Sequence, residues 1–103
     1  MRYTTISAVF EIDTLPGNSQ VAITHSFFVK PYCRGFGKGK AAKLEQNDII
    51  KCMGYDSAIC TVRSDNGAQK AILKHAGWGF SHQFYDQKQL TMVELWTYTV
   101  PQD

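Results

Sequence analysis

Between Val29 and Gly39 the chain runs Val-Lys-Pro-Tyr-Cys-Arg-Gly-Phe-Gly-Lys-Gly. Gly35, Gly37 and Gly39 stand at alternate positions. Their missing Cβ atoms let successive backbone N–H groups converge on one oxyanion. Arg34, Lys38 and Lys40 add full positive charges, with Lys30 and Lys43 nearby. The stretch leaves a β-branched, aromatic run and enters a segment of helical periodicity. A helix opening on such a loop aims its free N–H groups and the positive end of its dipole at the same point. The chemistry this composition favours is the holding of a pyrophosphate.

Spacing narrows which pyrophosphate. The nucleotide loop GxxxxGK[ST] needs a glycine where this chain has Arg34, and a Ser or Thr where it has Ala41. The dinucleotide fingerprint GxGxxG fails as well, because Lys40 occupies its third glycine position.

Other functional classes are constrained by composition. With 11 basic and 9 acidic residues the net charge is +2, too mild for a nucleic-acid groove or an anionic membrane surface. No apolar run approaches the roughly 18 to 20 residues that cross a bilayer. Cys33, Cys52 and Cys60 form no CxxC pair, and with His25, His75 and His82 they show none of the close spacings of a zinc site, so no metal is expected. The odd cysteine count and the absence of a secretory pattern at Met1-Arg2-Tyr3 point to a reducing cytoplasm.

The elements that must carry the loop follow from periodicity. Tyr3 to Asp13 and Gln20 to Val29 read as a hairpin closed at Leu15-Pro16-Gly17-Asn18. A helix is expected from about Lys40 to Met53, with Ala42, Ile49 and Met53 on one face and Gly54 ending it. Ser57 to Val62 is a short strand. Ser64-Asp65-Asn66-Gly67 caps a second helix whose core stripe is Ala68, Ala71, Ile72 and His75, with Gly77 closing it. Phe80 to Tyr85 and Leu90 to Val100 form a last hairpin. A chain of 103 residues with 44% apolar content supports one domain. The order β-β-α-β-α-β-β makes it an α/β (α+β) fold, a mixed, mostly antiparallel sheet with two main helices.

Arg34, Gly37 and Gly39 match the [RQ]xxGx[GA] signature of the GNAT superfamily of N-acetyltransferases, preceded by that family's V-x-P as Val29 and Pro31. Asn66, followed eleven residues later by Gly77 and then Trp78, resembles its later N-x10-G-[FW] element. The resemblance covers about residues 18 to 100. It implies acetyl-CoA as cofactor, with Phe28, Val29, Arg34, Gly35, Phe36, Gly37, Lys38, Gly39, Lys40, Asn66 and Leu73 along its path. It implies strands that splay so that the pantetheine arm lies between them, and direct transfer of acetyl to an acceptor amine without a covalent enzyme intermediate.

A base is then needed. His25, on the strand ahead of the loop, stands where arylalkylamine N-acetyltransferases carry a histidine, and an imidazole titrates near neutrality. Glu11 and Asp13 on the facing strand compete for the role. Glu94 reads as a solvent-facing residue of an alternating strand. Many family members have a tyrosine acid seven residues after the motif asparagine, whereas this chain has Leu73, off the expected core stripe and so expected to face the cofactor. Relative to most members the chain lacks a first strand and two helices, which leaves the acceptor cleft open to a protein or peptide amine such as a lysine, to a partner, or to a second copy in a homodimer. In size and layout it resembles small bacteriophage-encoded members, which would place it in the host cytoplasm or the virion. Acetyl transfer to an amine is the implied function, and a GNAT-fold binding protein with weak or lost turnover is the alternative.

Overall fold

A computed structural model of the protein describes residues 1–35 and 37–102. Strands β1 (Arg2–Thr4), β2 (Ala8–Leu15) and β3 (Asn18–Val29) are followed by a short 3-10 turn (Pro31–Cys33) and helix α1 (Lys38–Cys52). Strand β4 (Ser57–Arg63), helix α2 (Gly67–His75) and strands β5 (Gly79–Asp86) and β6 (Thr91–Thr99) complete the order. The expected fold class is the one observed.

The segment expected as one strand from Tyr3 is two. Thr5 Oγ1 accepts from the backbone N–H of Ser7 and Ala8, at 3.3 and 3.0 Å, and Thr5 N–H donates to Ala8 O. This hydroxyl-closed turn folds β1 back against β2.

The six strands form one sheet in the order β1-β2-β3-β4-β6-β5. Every neighbouring pair is antiparallel except β3 and β4, whose parallel ladder holds only Val21–Ser57, Ala22–Ala58 and Ile23–Ile59. Beyond those pairs β3 and β4 no longer share a ladder, and their remaining residues border a cleft. The core lies where Phe10, Ile12, Ala22, Ala58, Cys60, Val62 and Trp96 of the strands meet Ile50 of α1 and Leu73 and Ala76 of the α2 region. Burying large apolar side chains of this kind contributes about 1.5–3 kcal/mol each.

The inward face of α1 includes the expected Ala42 but is otherwise more polar than apolar periodicity indicated, and that of α2 is a different one. In α1 the buried residues are Ala42, Lys43, Gln46, Asn47 and Ile50, while Ile49 is half-buried and Met53 exposed. Asn47 makes this polar face tolerable: its Nδ2 donates to Ala76 O and its Oδ1 accepts from Trp78 Nε1, both at 2.9 Å. In α2 the fully buried side chain is Leu73, while Ala68, Ala71 and His75 are exposed and Ile72 is half-buried. Glu94 is also buried, accepting from Trp96 Nε1 at 2.9 Å and Lys70 Nζ at 3.2 Å. Burial pushes its carboxyl up, but these donors outweigh that and hold it below the usual range.

Candidate active site

The glycine loop sits at the N-terminus of α1. Gly35 and Gly37 adopt φ of +84° and +71°, a region that side-chain-bearing residues seldom enter, and a Cβ at either would meet nothing within 4 Å. Gly37 is the N-cap, no side chain caps the helix, and no acidic residue stands in its first turn. The first N–H groups and the dipole therefore face outward uncompensated. Gly39 serves a different purpose. A Cβ there would lie 2.8 Å from Ile72 Cδ1 and 3.2 Å from Val29 Cγ2, so glycine lets α1 approach α2 and β3 closely.

Next to this loop is a cavity of about 510 Å³, lined by Phe27, Phe28, Val29, Arg34, Gly35, Gly37, Gly39, Lys40, Asn66, Ala68, Gln69 and Ile72. Arg34 is oriented by its Nε, which donates to Val29 O at 3.0 Å, and by its guanidinium, 4.9 Å from the Phe28 ring centroid. Its terminal N–H groups stay available to an anion. Asn66 caps α2, its Oδ1 accepting from Gln69 N–H at 3.1 Å.

The expected basic cluster is thereby reduced. Lys30 is turned away to Thr5 O at 3.0 Å, Lys43 is buried elsewhere, and Lys38 is exposed outside the walls of this cavity. The expected contact at Phe36 lies outside the described residues.

A second cavity of about 270 Å³ continues the first and shares Phe27, Asn66 and Gln69 with it. It lies where β3 and β4 part, and His25, Ser26, Lys43, Cys60, Arg63 and Leu73 are among its walls. A bulge in β3 shapes this end: two steps on β2, from Val9 to Glu11, face three on β3, from Phe28 to His25, and Ser26 takes a φ of +57°.

His25 Nε2 lies 2.7 Å from Asp13 Oδ2, and Nδ1 lies 3.2 Å from Ser26 Oγ and 3.7 Å from Glu11 Oε2. A carboxylate on Nε2 selects the Nε2–H tautomer and leaves the lone pair on Nδ1. Asp13 also accepts from the Met1 ammonium at 2.6 Å; that bond first, and the His25 bond second, hold its carboxyl below the usual range. The three candidate bases are thus one cluster, with Asp13 orienting the imidazole and Glu11 3.7 Å from Nδ1.

Leu73 lines this second cavity but is fully buried within the core, an alkyl wall rather than a surface residue. Sequence reasoning missed Lys43 as a residue of the cleft. Its Nζ lies 4.4 Å from the Trp78 ring centroid and 5.1 Å from that of Phe27. Burial pushes its amine down to about 8, partly countered by the neighbouring Cys60. Burial pushes the Cys60 thiol up, against smaller opposing effects of Lys43 and Thr24. Among the described residues no group of three or more His, Cys, Asp or Glu side chains could hold a metal, and no helix is long and apolar enough to cross a membrane.

No protein-family model matches this chain, and no curated protein is similar to it in sequence. Solved structures are similar in fold. An acetyltransferase of Bacillus subtilis in complex with CoA superposes with a TM-score of 0.82 at 13% identity, over 94% of this chain and 71% of that one. A GNAT-family acetyltransferase of Streptococcus pneumoniae gives 0.76 at 11% identity, over 92% and 60%. Spermidine N-acetyltransferase of Vibrio cholerae, in complex with CoA and spermine, gives 0.77 at 11%, over 91% and 58%. With its six-stranded, mostly antiparallel sheet parting between β3 and β4 and its glycine loop at the head of α1, the chain has the fold of the GNAT acetyltransferases.

Proposed function

We propose that the chain binds acetyl-CoA along the paired cavities and transfers the acetyl group to an amine. The observation that carries this is the uncapped N-terminus of α1, under Gly35 and Gly37, opening onto a cleft between two strands that have parted. Its residues fit CoA. The loop N–H groups, Arg34 and Lys40 would hold the pyrophosphate. Phe28 and Val29 offer main chain and apolar surface to the pantetheine arm, and Asn66 and Gln69 border its course into the second cavity. When bound, the thioester supplies an activated acyl group.

The acceptor must react as a neutral amine, and His25 Nδ1 would take the proton it gives up, directly or through Ser26 Oγ, 3.2 Å away. Asp13 holds the ring and stabilises the imidazolium that results. His25 is exposed at the cleft mouth, which suits an amine on a peptide or protein, a lysine among them, as well as a small polyamine. A binding protein without turnover is the second reading, favoured by the alkyl chain at residue 73.

Isothermal titration with CoA and acetyl-CoA tests the first claim. Saturable binding is expected, and no heat or thermal shift at millimolar cofactor would refute it. Mass spectrometry of polyamines, peptides and proteins incubated with acetyl-CoA and the chain then separates transfer from binding alone.

A further inference from the structure

Four charged or titratable side chains face the cavity where β3 and β4 part, and three have obvious neighbours. His25 is bonded to Asp13, Arg63 pairs with Asp65 at 3.0 Å, and Cys60 is a buried thiol. Lys43 is the exception. It is 1% exposed, yet among the described residues it has no ion pair and no hydrogen bond, only the faces of Phe27 and Trp78 and the neighbouring Cys60 thiol. Trp78 is itself fixed, by Asn47 on its Nε1 and by Tyr98 stacked 5.5 Å away. A cation held so firmly without a counter-charge costs stability, and an anion brought beside it would offset that cost.

The same helix presents both sites. Side chains on a helix lean toward its N-terminus, so Lys43, in the second turn of α1, points from beneath the glycine loop into the cleft. Leu73 shares that cavity and can neither donate a proton nor carry charge.

We propose that the Lys43 ammonium is the proton donor and counter-charge for the departing CoA sulfur. This rests on the acetyl-CoA reading above. Lys43 Nζ gives its proton to the sulfur as the C–S bond breaks with its electron pair on sulfur and the amine nitrogen bonds the acetyl carbon. His25 Nδ1 takes the amine's surplus proton and releases it to solvent, and solvent returns one to Lys43. An amine brought down to about 8 remains largely charged at neutral pH and is matched to a thiol whose ordinary value is about 8.5.

The test needs no acceptor. The thiol of protein-bound CoA is titrated by ultraviolet thiolate absorbance, taking the complex with desulfo-CoA as reference so that the three cysteines of the chain cancel. Wild type is compared with Lys43→Met. A cation beside the sulfur should make bound CoA titrate about one pH unit or more lower in wild type than in the variant, which is about tenfold in thiolate affinity. Desulfo-CoA should bind both equally. Equal titration of CoA in the two proteins would overturn the proposal. If calorimetry finds no CoA binding to wild type, the acetyl-CoA reading fails and the role of Lys43 falls with it. If CoA binds and the titrations coincide, only the role of Lys43 is lost. Should Lys43→Met not fold, Lys43→Gln serves in the same comparison.

Discussion

The buried ammonium of Lys43 makes a stability prediction that can be worked through. Its folded-state value of about 8 stands against an ordinary 10.5, a gap of roughly 2.5. At about 1.36 kcal/mol for each pH unit, burial disfavours the charged form by roughly 3 kcal/mol at pH 7. The Phe27 and Trp78 faces return about 0.5–1 kcal/mol each. Lys43→Met puts an unbranched apolar chain in the same space, so the variant should be more stable at pH 7 by about 1–2 kcal/mol. For a domain of this size each kcal/mol raises Tm by about 4–8 °C.

The advantage should also depend on pH. Between about 8 and 10.5 the unfolded chain retains a proton on Lys43 that the folded chain has lost, so stability gained from this group rises across that window. Wild type should therefore draw level with the variant near pH 10.5. Cys60 acts in the opposite sense, since a thiol raised by burial loses stability as pH climbs past its unfolded value; its burial is common to both proteins, and losing Lys43 raises the thiol further in the variant, which adds to the wild type's gain at high pH. Urea denaturation followed by tryptophan fluorescence at pH 7 and pH 10 measures both quantities. A variant less stable than wild type by 1 kcal/mol at pH 7, with a difference indifferent to pH, would refute the reasoning.

Gly37→Glu should abolish CoA binding by placing a carboxylate at the head of α1, whereas Gly37→Asn, which tolerates positive φ, should lose far less; equal affinities in calorimetry would remove the loop from the site. His25→Ala should lower acetyl transfer at neutral pH by about 10²-fold or more while CoA affinity stays near normal, and wild-type rates would dismiss its base role. Asn47→Leu leaves Trp78 Nε1 and Ala76 O without their buried partner and should cost about 2–4 kcal/mol in urea denaturation; a neutral outcome would mean the pair is not needed to hold Trp78.

The glycine loop at the head of α1 was legible in the sequence because its constraints are local. Positive φ at Gly35 and Gly37 admits few residue types, and the close approach at Gly39 favours a small one. The Asn66 cap and the strand-helix order were legible for the same reason. The inward faces of the two helices were not. Periodicity selects apolar residues, so it chose Ile49 and Met53 over Lys43, Gln46 and Asn47, and the Asn47 partners, Ala76 and Trp78, lie about 30 residues away in sequence. In α2 it favoured small exposed alanines over Leu73. Glu94 was misread because its donors, Lys70 and Trp96, become visible only when α2 lies beside β6. Long-range polar pairing leaves little trace in a single sequence.

The parallel ladder between β3 and β4 is only three pairs long, and it is the seam on which the sheet is joined. On one side stand β1 to β3, on the other β4, β6 and β5, and past Ile23 and Ile59 the two strands form no further ladder pairs among the described residues. Amides outside a ladder exchange hydrogen with solvent readily, whereas those of the paired hairpins are protected. A ligand laid into the gap acts as a splint between the two halves. Deuterium uptake across residues 24–29 and 60–63 should accordingly slow when CoA binds, and the two halves should then unfold as a more cooperative unit than they do alone.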